Sequence, residues 1–441
     1  MLQSALTTAR EAVRSQDHAA AWQALGDVLS YPGDAVQERA PFQQAFGAFA
    51  QLAGAMGGPD LAGAVQVVVA KPDDPQALYD AAYQLYEHQA HGLAATLLAR
   101  ANKLAPGQHA IVTELSANLE ALGLYLQAAL LVDLSGLAKS DPMCAYLSGF
   151  NWLMSGDLDV PRKRLGALQG PQDGPLPEMR AGLAGMLARA DALLGAGITL
   201  DERALTAWHA VIHGTVLMHE SPYGHDEPMH GRYAYLGDSP GLMREGLQRL
   251  TAVLATRPVL PQVVAAPDRA SHILALAAAE QLGLPLIRWE PGTAPRGLVV
   301  AWSLDAVADG EFFVALKTHA PDQVLFAHAS CWTAPFPYAP DVTTLLHQTI
   351  THPYTGGGMQ VNSDSGDVER LPPDPRDDSA CAAEILAAQL ADPSVSIEDA
   401  VLEVVCALAP LPGEFRGGPH RTQGHRRHQR GGGPVPSARF A

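Results

Sequence analysis

Two hydrophobic rhythms divide the chain. Up to about residue 197, apolar residues recur every three to four positions, which places them on one face of an α-helix. Beyond residue 200 they gather in short, β-branched runs at 262–266, 285–288, 298–302 and 323–327, separated by helix-length stretches. The first rhythm predicts an all-helical unit over 1–197. The second predicts an α/β unit over 200–411 with a mostly parallel sheet.

The clearest helical pattern runs from Asp74 to Pro106. Pro75 opens it, and Leu78, Ala81, Ala82 and Leu85 fall on one face. After a turn at 90–92, Ala94, Leu98 and Ala101 form a second stripe, and Pro106 closes the unit. Small residues at the crossing let two antiparallel helices approach closely. The plan recurs with Leu115, Leu119, Gly123, Tyr125 and Ala128. It recurs again from Pro142, with Ala145, Gly149 and Trp152, a turn at Ser155-Gly156-Asp157, and Leu165. Pro161 sits where a small second-helix residue belongs, so that helix is either shortened or starts late. Upstream, 19–29 and 42–56 are amphipathic and read as a degenerate repeat or a cap. Downstream, 178–194 reads as one long helix sealing the array. These units resemble tetratricopeptide repeats, whose helix pairs recur every 34 residues. The resemblance implies a curved array whose concave face takes a protein or peptide partner. Packing of the array against the chain's own C-terminal half is the alternative.

In the second half, an Ala/Leu-rich helix over 271–282 lies between the first two apolar runs, making a βαβ unit. Sites in such sheets lie outside the carboxyl ends of the strands, here 267–272, 303–305 and 328–332. The loop 267–271 leads into a helix N-terminus, where free N–H groups and the charge of Arg269 favour a phosphate or other anion. Asp268, Arg269 and Ser271 are therefore candidate ligand contacts, with Asp268 or Ser271 as a plain helix cap the competing reading. A second polar cluster holds His213, His219, Glu220, His225, Asp226, Glu227, His230 and Arg232 among Tyr223, Tyr233 and Tyr235. Such groups can bind a metal or move protons. No HExxH is present, however, and Ser221-Pro222-Tyr223-Gly224 interrupts any helix that would align ligands, so no metal is expected. Tyr223 and Arg232 are candidate contacts of a polar ligand loop. An ordered loop bonded to its own backbone is the other reading.

Residues 263–286 resemble the early strand, loop and helix of type I phosphoribosyltransferases, with Leu282-Gly283-Leu284-Pro285 leading into the next strand. The resemblance implies a loop that grips pyrophosphate. That family also carries a pair of acids and a Thr/Gly-rich phosphate loop after a later strand. Here 299–302 is followed by Ser303-Leu304-Asp305-Ala306-Val307-Ala308, with one acid and neither Thr nor Gly. The expectation is a relative without the usual catalytic centre.

Composition narrows the picture further. A chain of 441 residues, 47% hydrophobic and 17% charged, is long enough for two cores. Its four cysteines (Cys144, Cys331, Cys381, Cys406) are scattered, as expected of a reducing cytoplasm. The N-terminus does not read as a signal peptide, and no apolar run reaches membrane-spanning length. The net charge of −17 is uneven: from Pro412 onward six arginines face one acid, leaving 23 basic and 45 acidic residues before it. Such a body repels nucleic acid, leaving only the tail to touch it. That tail, 412–441, is Gly-, His- and Arg-rich without apolar periodicity and is expected to be disordered. No GxSxG, Walker or GxGxxG motif is present, and no cofactor is expected. The leading expectation is an interaction scaffold fused to a catalytically quiet α/β domain that binds a small anionic ligand such as a phosphorylated one. The alternative is a glycosyl- or phosphoribosyl-type transferase whose repeats recruit the substrate.

Overall fold

A computed structural model describes residues 2–167, 174–222, 229–256, 259–319, 322–334, 336–361, 368–390, 399–411 and 426–437. The chain divides into two compact units, Met1–Arg180 and Ala181–Ala441.

The first unit is a succession of antiparallel helix pairs: α1 (Leu2–Arg14) with α2 (His18–Leu29), α3 (Arg39–Ala55) with α4 (Pro59–Ala70), α5 (Pro75–Glu87) with α6 (His91–Leu104), α7 (His109–Ala121) with α8 (Tyr125–Ser135), and α9 (Pro142–Met154) with α10 (Asp159–Ala167). The first helices of the last three pairs start at Pro75, His109 and Pro142, a spacing of about 34 residues. One backbone device closes all five hairpins. A residue in the left-handed region follows the first helix: Gln16, Gly57, Gln89, Gly123 or Gly156, with φ of 62°, 82°, 57°, 73° and 93°. The next N–H then donates back to the last full turn: Asp17 to Ala12, Gly58 to Ala53, Ala90 to Leu85, Leu124 to Leu119 and Asp157 to Trp152, all at 2.8–3.0 Å. Each helix end thus satisfies an orphan carbonyl in the same way. By this criterion α1–α4 form two full hairpins, where the sequence pattern left a degenerate repeat or a cap open.

The predicted stripes are the core. Leu78, Ala81, Ala82, Leu85, Ala94 and Ala101 are completely buried. Pro161 stands in the first turn of α10 and is itself buried, so that helix keeps its place in the array. The next helix, α11 (Leu176–Gly195), is the long one expected over 178–194. The division between units falls within it, ahead of the composition change near residue 197.

In the second unit, α12 (Leu205–His213) precedes β1 (Val216–Leu217), β2 (Tyr233–Gly237) and α13 (Pro240–Leu254). Then come β3 (Val263–Ala265), α14 (Arg269–Leu282), β4 (Leu286–Arg288), β5 (Gly297–Ser303), α15 (Gly310–Lys317), β6 (Gln323–Cys331) and β7 (Val342–Thr351). The short antiparallel pair β8 (Met359–Val361) and β9 (Val368–Arg370) follows, and α16 (Asp378–Ala387) and α17 (Asp399–Leu408) complete the elements. Seven strands form one sheet in the order β4-β3-β5-β6-β7-β1, and β2 also pairs with β7 further along it. Every pairing in this sheet is parallel. Val263, Leu298, Val300, Phe326 and Val342 face a core shared with α13, α14, α16 and α17. Val264, Val299, Ala301, Leu325 and Ala327 face α15 through Phe312 and Leu316. Alternate residues of each strand thus feed two cores, as a doubly covered parallel sheet requires.

Of the basic tail, residues 426–437 are described. There it lies along the α/β unit, with Arg426, Gln429 and Val435 buried. Composition suggested disorder because so few apolar side chains are present; buried charge pairing and main-chain hydrogen bonds take their place. Residues 412–425 and 438–441 lie outside the described residues.

A candidate ligand cleft at the carboxyl edge of the sheet

Across β4-β3-β5-β6-β7 the strand order reverses between β3 and β5. In open α/β sheets such a switch point leaves a crevice, because the connections from the two strands leave toward opposite faces. Here α14 covers one face and α15 the other. Beside this switch point, at the carboxyl ends of the neighbouring strands β3 and β4, lies a cleft of about 380 Å³ lined by Ala265, Ala266, Pro267, Asp268, Arg269, His272, Arg288, Trp289 and Asp378.

Asp268 is the helix cap. Its Oδ1 accepts the Ser271 N–H at 2.9 Å, which satisfies an orphan donor of α14. Its Oδ2 is buried and has no hydrogen-bond partner among the described residues. Burial pushes the Asp268 carboxyl up, against the pull of the Ser271 and Ala270 N–H groups. Ser271 is fully buried, and its Oγ accepts the Trp302 N–H at 2.9 Å, so it ties α14 to β5 and stays away from the cleft.

Arg269 is committed elsewhere. Its guanidinium donates to Asp378 Oδ1 at 2.9 Å and to the carbonyls of Tyr354, Asp374 and Arg376 at 3.2, 2.9 and 2.8 Å. His272 reaches the other Asp378 oxygen at 2.9 Å. Burial opposes ionisation of Asp378, yet the hydrogen bonds from Arg269 and His272 hold its pKa below the ordinary value. Arg269 therefore fastens α14 to the segment entering α16. The cation left to the cleft is Arg288, exposed at the end of β4 and without a side-chain bond among the described residues. Trp289 stands beside it, its Nε1 donating to the Thr293 carbonyl at 2.9 Å and its ring edge-on to Phe312.

The described members of the second polar cluster do not assemble as one site. Tyr223, His225, Asp226 and Glu227 lie outside the described residues. Glu220 Oε1 accepts the Thr206 N–H and hydroxyl at 2.9 and 2.7 Å, at the start of α12. His219 Nε2 meets the Tyr233 hydroxyl at 2.8 Å. Arg232 is buried, lies over the Trp332 ring and donates to the carbonyls of Met229, Val435 and Pro436.

Another buried polar centre sits on the α13 side of the sheet. Asp238 Oδ2 accepts from Trp302 Nε1 at 2.6 Å and lies 3.4 Å from His328 Nε2. Burial disfavours the Asp238 carboxylate, but His328, Trp302 and the Ser239 N–H outweigh it and lower its pKa. His352 packs edge-on against Trp302, and burial pushes His219, His347 and His352 each down to about 4. The helix above must have a glycine: a Cβ on Gly246 would stand 2.7 Å from Thr344 Oγ1 and 2.8 Å from His328 Nδ1. The Asp238 and His328 side chains are wholly enclosed, so the pair is suited to joining strands and helices rather than to meeting a substrate.

No family model, curated protein or solved structure matches the chain. The site therefore rests on its own geometry. Sequence reasoning located the strand-end region 267–272 but missed Arg288, Trp289 and Asp378. Arg288 and Trp289 follow the second apolar run, and the rule that placed the loop applies equally to that strand end. Asp378 gave no such signal, because it enters from the far end of the domain.

Proposed function

We propose that the chain is a two-part adaptor: a helical-hairpin array that receives a protein or peptide, and an α/β unit that holds a small phosphorylated ligand without turning it over. The observation that carries the ligand reading is the cleft at the ends of β3 and β4, where a buried carboxylate oxygen of Asp268, unpartnered among the described residues, accompanies the exposed Arg288 and the ring of Trp289. Asp268 Oδ2 calls for a donor such as a sugar hydroxyl, because a buried acceptor left unpaired costs about 1–3 kcal/mol. Arg288 offers the fork that phosphate oxygens accept. A ligand with both groups, a phosphosugar or a nucleotide, satisfies both requirements, whereas inorganic phosphate satisfies one. Resemblance of 263–286 to the phosphoribosyltransferase strand and loop supports the same class, and the missing acid pair supports binding without chemistry.

Calorimetry with phosphoribosyl pyrophosphate tests the reading. Arg288→Ala should weaken binding about tenfold or more. Asp268→Asn, which keeps the cap oxygen but turns the acceptor into a donor, should weaken it while leaving the thermal midpoint near that of the wild type. Arg269→Ala should instead destabilise the fold by roughly 1–3 kcal/mol, because four hydrogen bonds to the 354–378 region are lost. Binding that ignores Arg288 and Asp268 refutes this cleft, and release of pyrophosphate refutes the non-catalytic reading.

A further inference from the structure

Residues 426–437 are held much as a bound peptide is held. At one end the Arg426 side chain is wholly enclosed: Nη1 donates to Asp341 Oδ2 at 2.9 Å and Nη2 to Gln323 Oε1 at 2.5 Å, while its backbone N–H donates to the Lys317 carbonyl at 2.9 Å. His319 Nε2 lies 3.4 Å from the same Asp341 oxygen, so the socket is ready-made for a planar cation. In the middle, Phe336 and Gln429 exchange both main-chain hydrogen bonds at 3.1 Å, and the Ala339 N–H donates to the Arg427 carbonyl at 2.6 Å. The Gln429 side-chain amide donates to the Cys331 carbonyl. His213 Nε2 accepts the Arg430 N–H at 3.1 Å, which requires a neutral ring; burial, pushing His213 down to about 3, keeps it so. At the far end Arg232 grips the Val435 and Pro436 carbonyls at 3.2 and 3.3 Å, and Val435 is buried.

From this arrangement we infer that the α/β unit carries a binding site for an extended peptide led by arginine, and that residues 426–437 occupy it as a ligand tethered in cis. Main-chain pairing accepts many sequences, as in other strand-addition modes, so identity is read at the two ends by the Arg426 socket and the Val435 contact. The segment adds no strand to the seven-stranded sheet, whose order is complete without it. The anchor is strong for a physical reason: withdrawing Arg426 would leave the Asp341 carboxylate buried beside an empty socket. Any partner presenting an arginine-led extended segment would compete for this site. The surface the tail covers, rather than the tail itself, is then the interaction site.

The test uses the full chain with a site-specific protease sequence placed between residues 413 and 424. After cleavage the far-ultraviolet circular dichroism should be unchanged, and a labelled peptide spanning 424–437 should exchange into the site, read by fluorescence anisotropy. The same peptide with Arg426→Ala should bind at least about 100-fold more weakly, and Arg426→Lys should fall between, because an ammonium keeps the charge but not the fork. Equal binding of wild-type and Arg426→Ala peptides would overturn the inference. So would loss of the α/β signal on cleavage, which would make the segment a part of the fold and not a ligand.

Discussion

At the residue scale, the informative groups are polar ones bonded to segments far away in the sequence. Arg269, Arg232 and Arg426 are each bonded to carbonyls or carboxylates of distant segments, so each serves as a clamp. The buried histidines carry a different consequence. His219, His347 and His352 stay neutral in the folded chain down to about pH 4, whereas an unfolded histidine takes its proton near pH 6.5. Between those values the unfolded chain binds more protons, so stability falls as pH falls, by up to about 1.4 kcal/mol per pH unit for each ring. Asp238 acts in a lower window. Its folded pKa is depressed, so its contribution is present above the ordinary carboxylate range and is lost below it. Urea titrations from pH 7 to pH 4.5 should therefore show a steep loss of stability that flattens when His347 and His352 are replaced by Gln. A flat profile in the wild type would show that these rings are not held neutral.

At the element scale, the five interhelix turns share one geometry but not one residue. Gly57, Gly123 and Gly156 suit the left-handed conformation, whereas Gln16 and Gln89 adopt it despite a Cβ. Gln89 is exposed, so its side chain does not compensate for the strain through packing. Gln89→Gly should stabilise the array by roughly 0.5–1 kcal/mol, and Gly123→Gln should destabilise it by a similar amount or more. Thermal melts of the two variants check this, and a Gln89→Gly chain that melts below the wild type contradicts it. The shared turn is also why the first two hairpins showed in the sequence pattern only as a degenerate repeat or a cap. What repeats in them is a dihedral angle and a hydrogen bond, not a residue at a fixed spacing.

At the scale of the whole molecule, the depressed histidines His209, His213, His219, His347 and His352 all lie in Ala181–Ala441. Acid should thus unfold the α/β unit before the array. Pepsin at pH 4.5 should digest the second unit and leave a helical fragment ending near residue 180; simultaneous loss of both would show that the two units do not unfold independently. No described helix is long and apolar enough to cross a membrane.

By itself the sequence determined the two-part layout, because helical and strand periodicities are local and survive in a single chain. It also determined four strands of the sheet, whose apolar runs feed cores on both faces, and the buried stripes Leu78, Ala81, Ala82 and Leu85. It pointed to the loop at Asp268, because strand–loop–helix order is itself local. Only the tertiary structure decided the rest. β7 was missed because Thr343, Thr344, His347, Gln348 and Thr349 make it polar; Thr343, Thr344 and His347 are nevertheless buried. Arg269 changed from a candidate ligand contact to a clamp because Asp378, over a hundred positions away in sequence, arrives beside it. The place of residues 426–437 was decided by Asp341 and Gln323, which form a socket for Arg426 that no local pattern announces. In each case the deciding interaction is a charge or hydrogen bond between distant segments, whose strength depends on burial that only the folded chain creates.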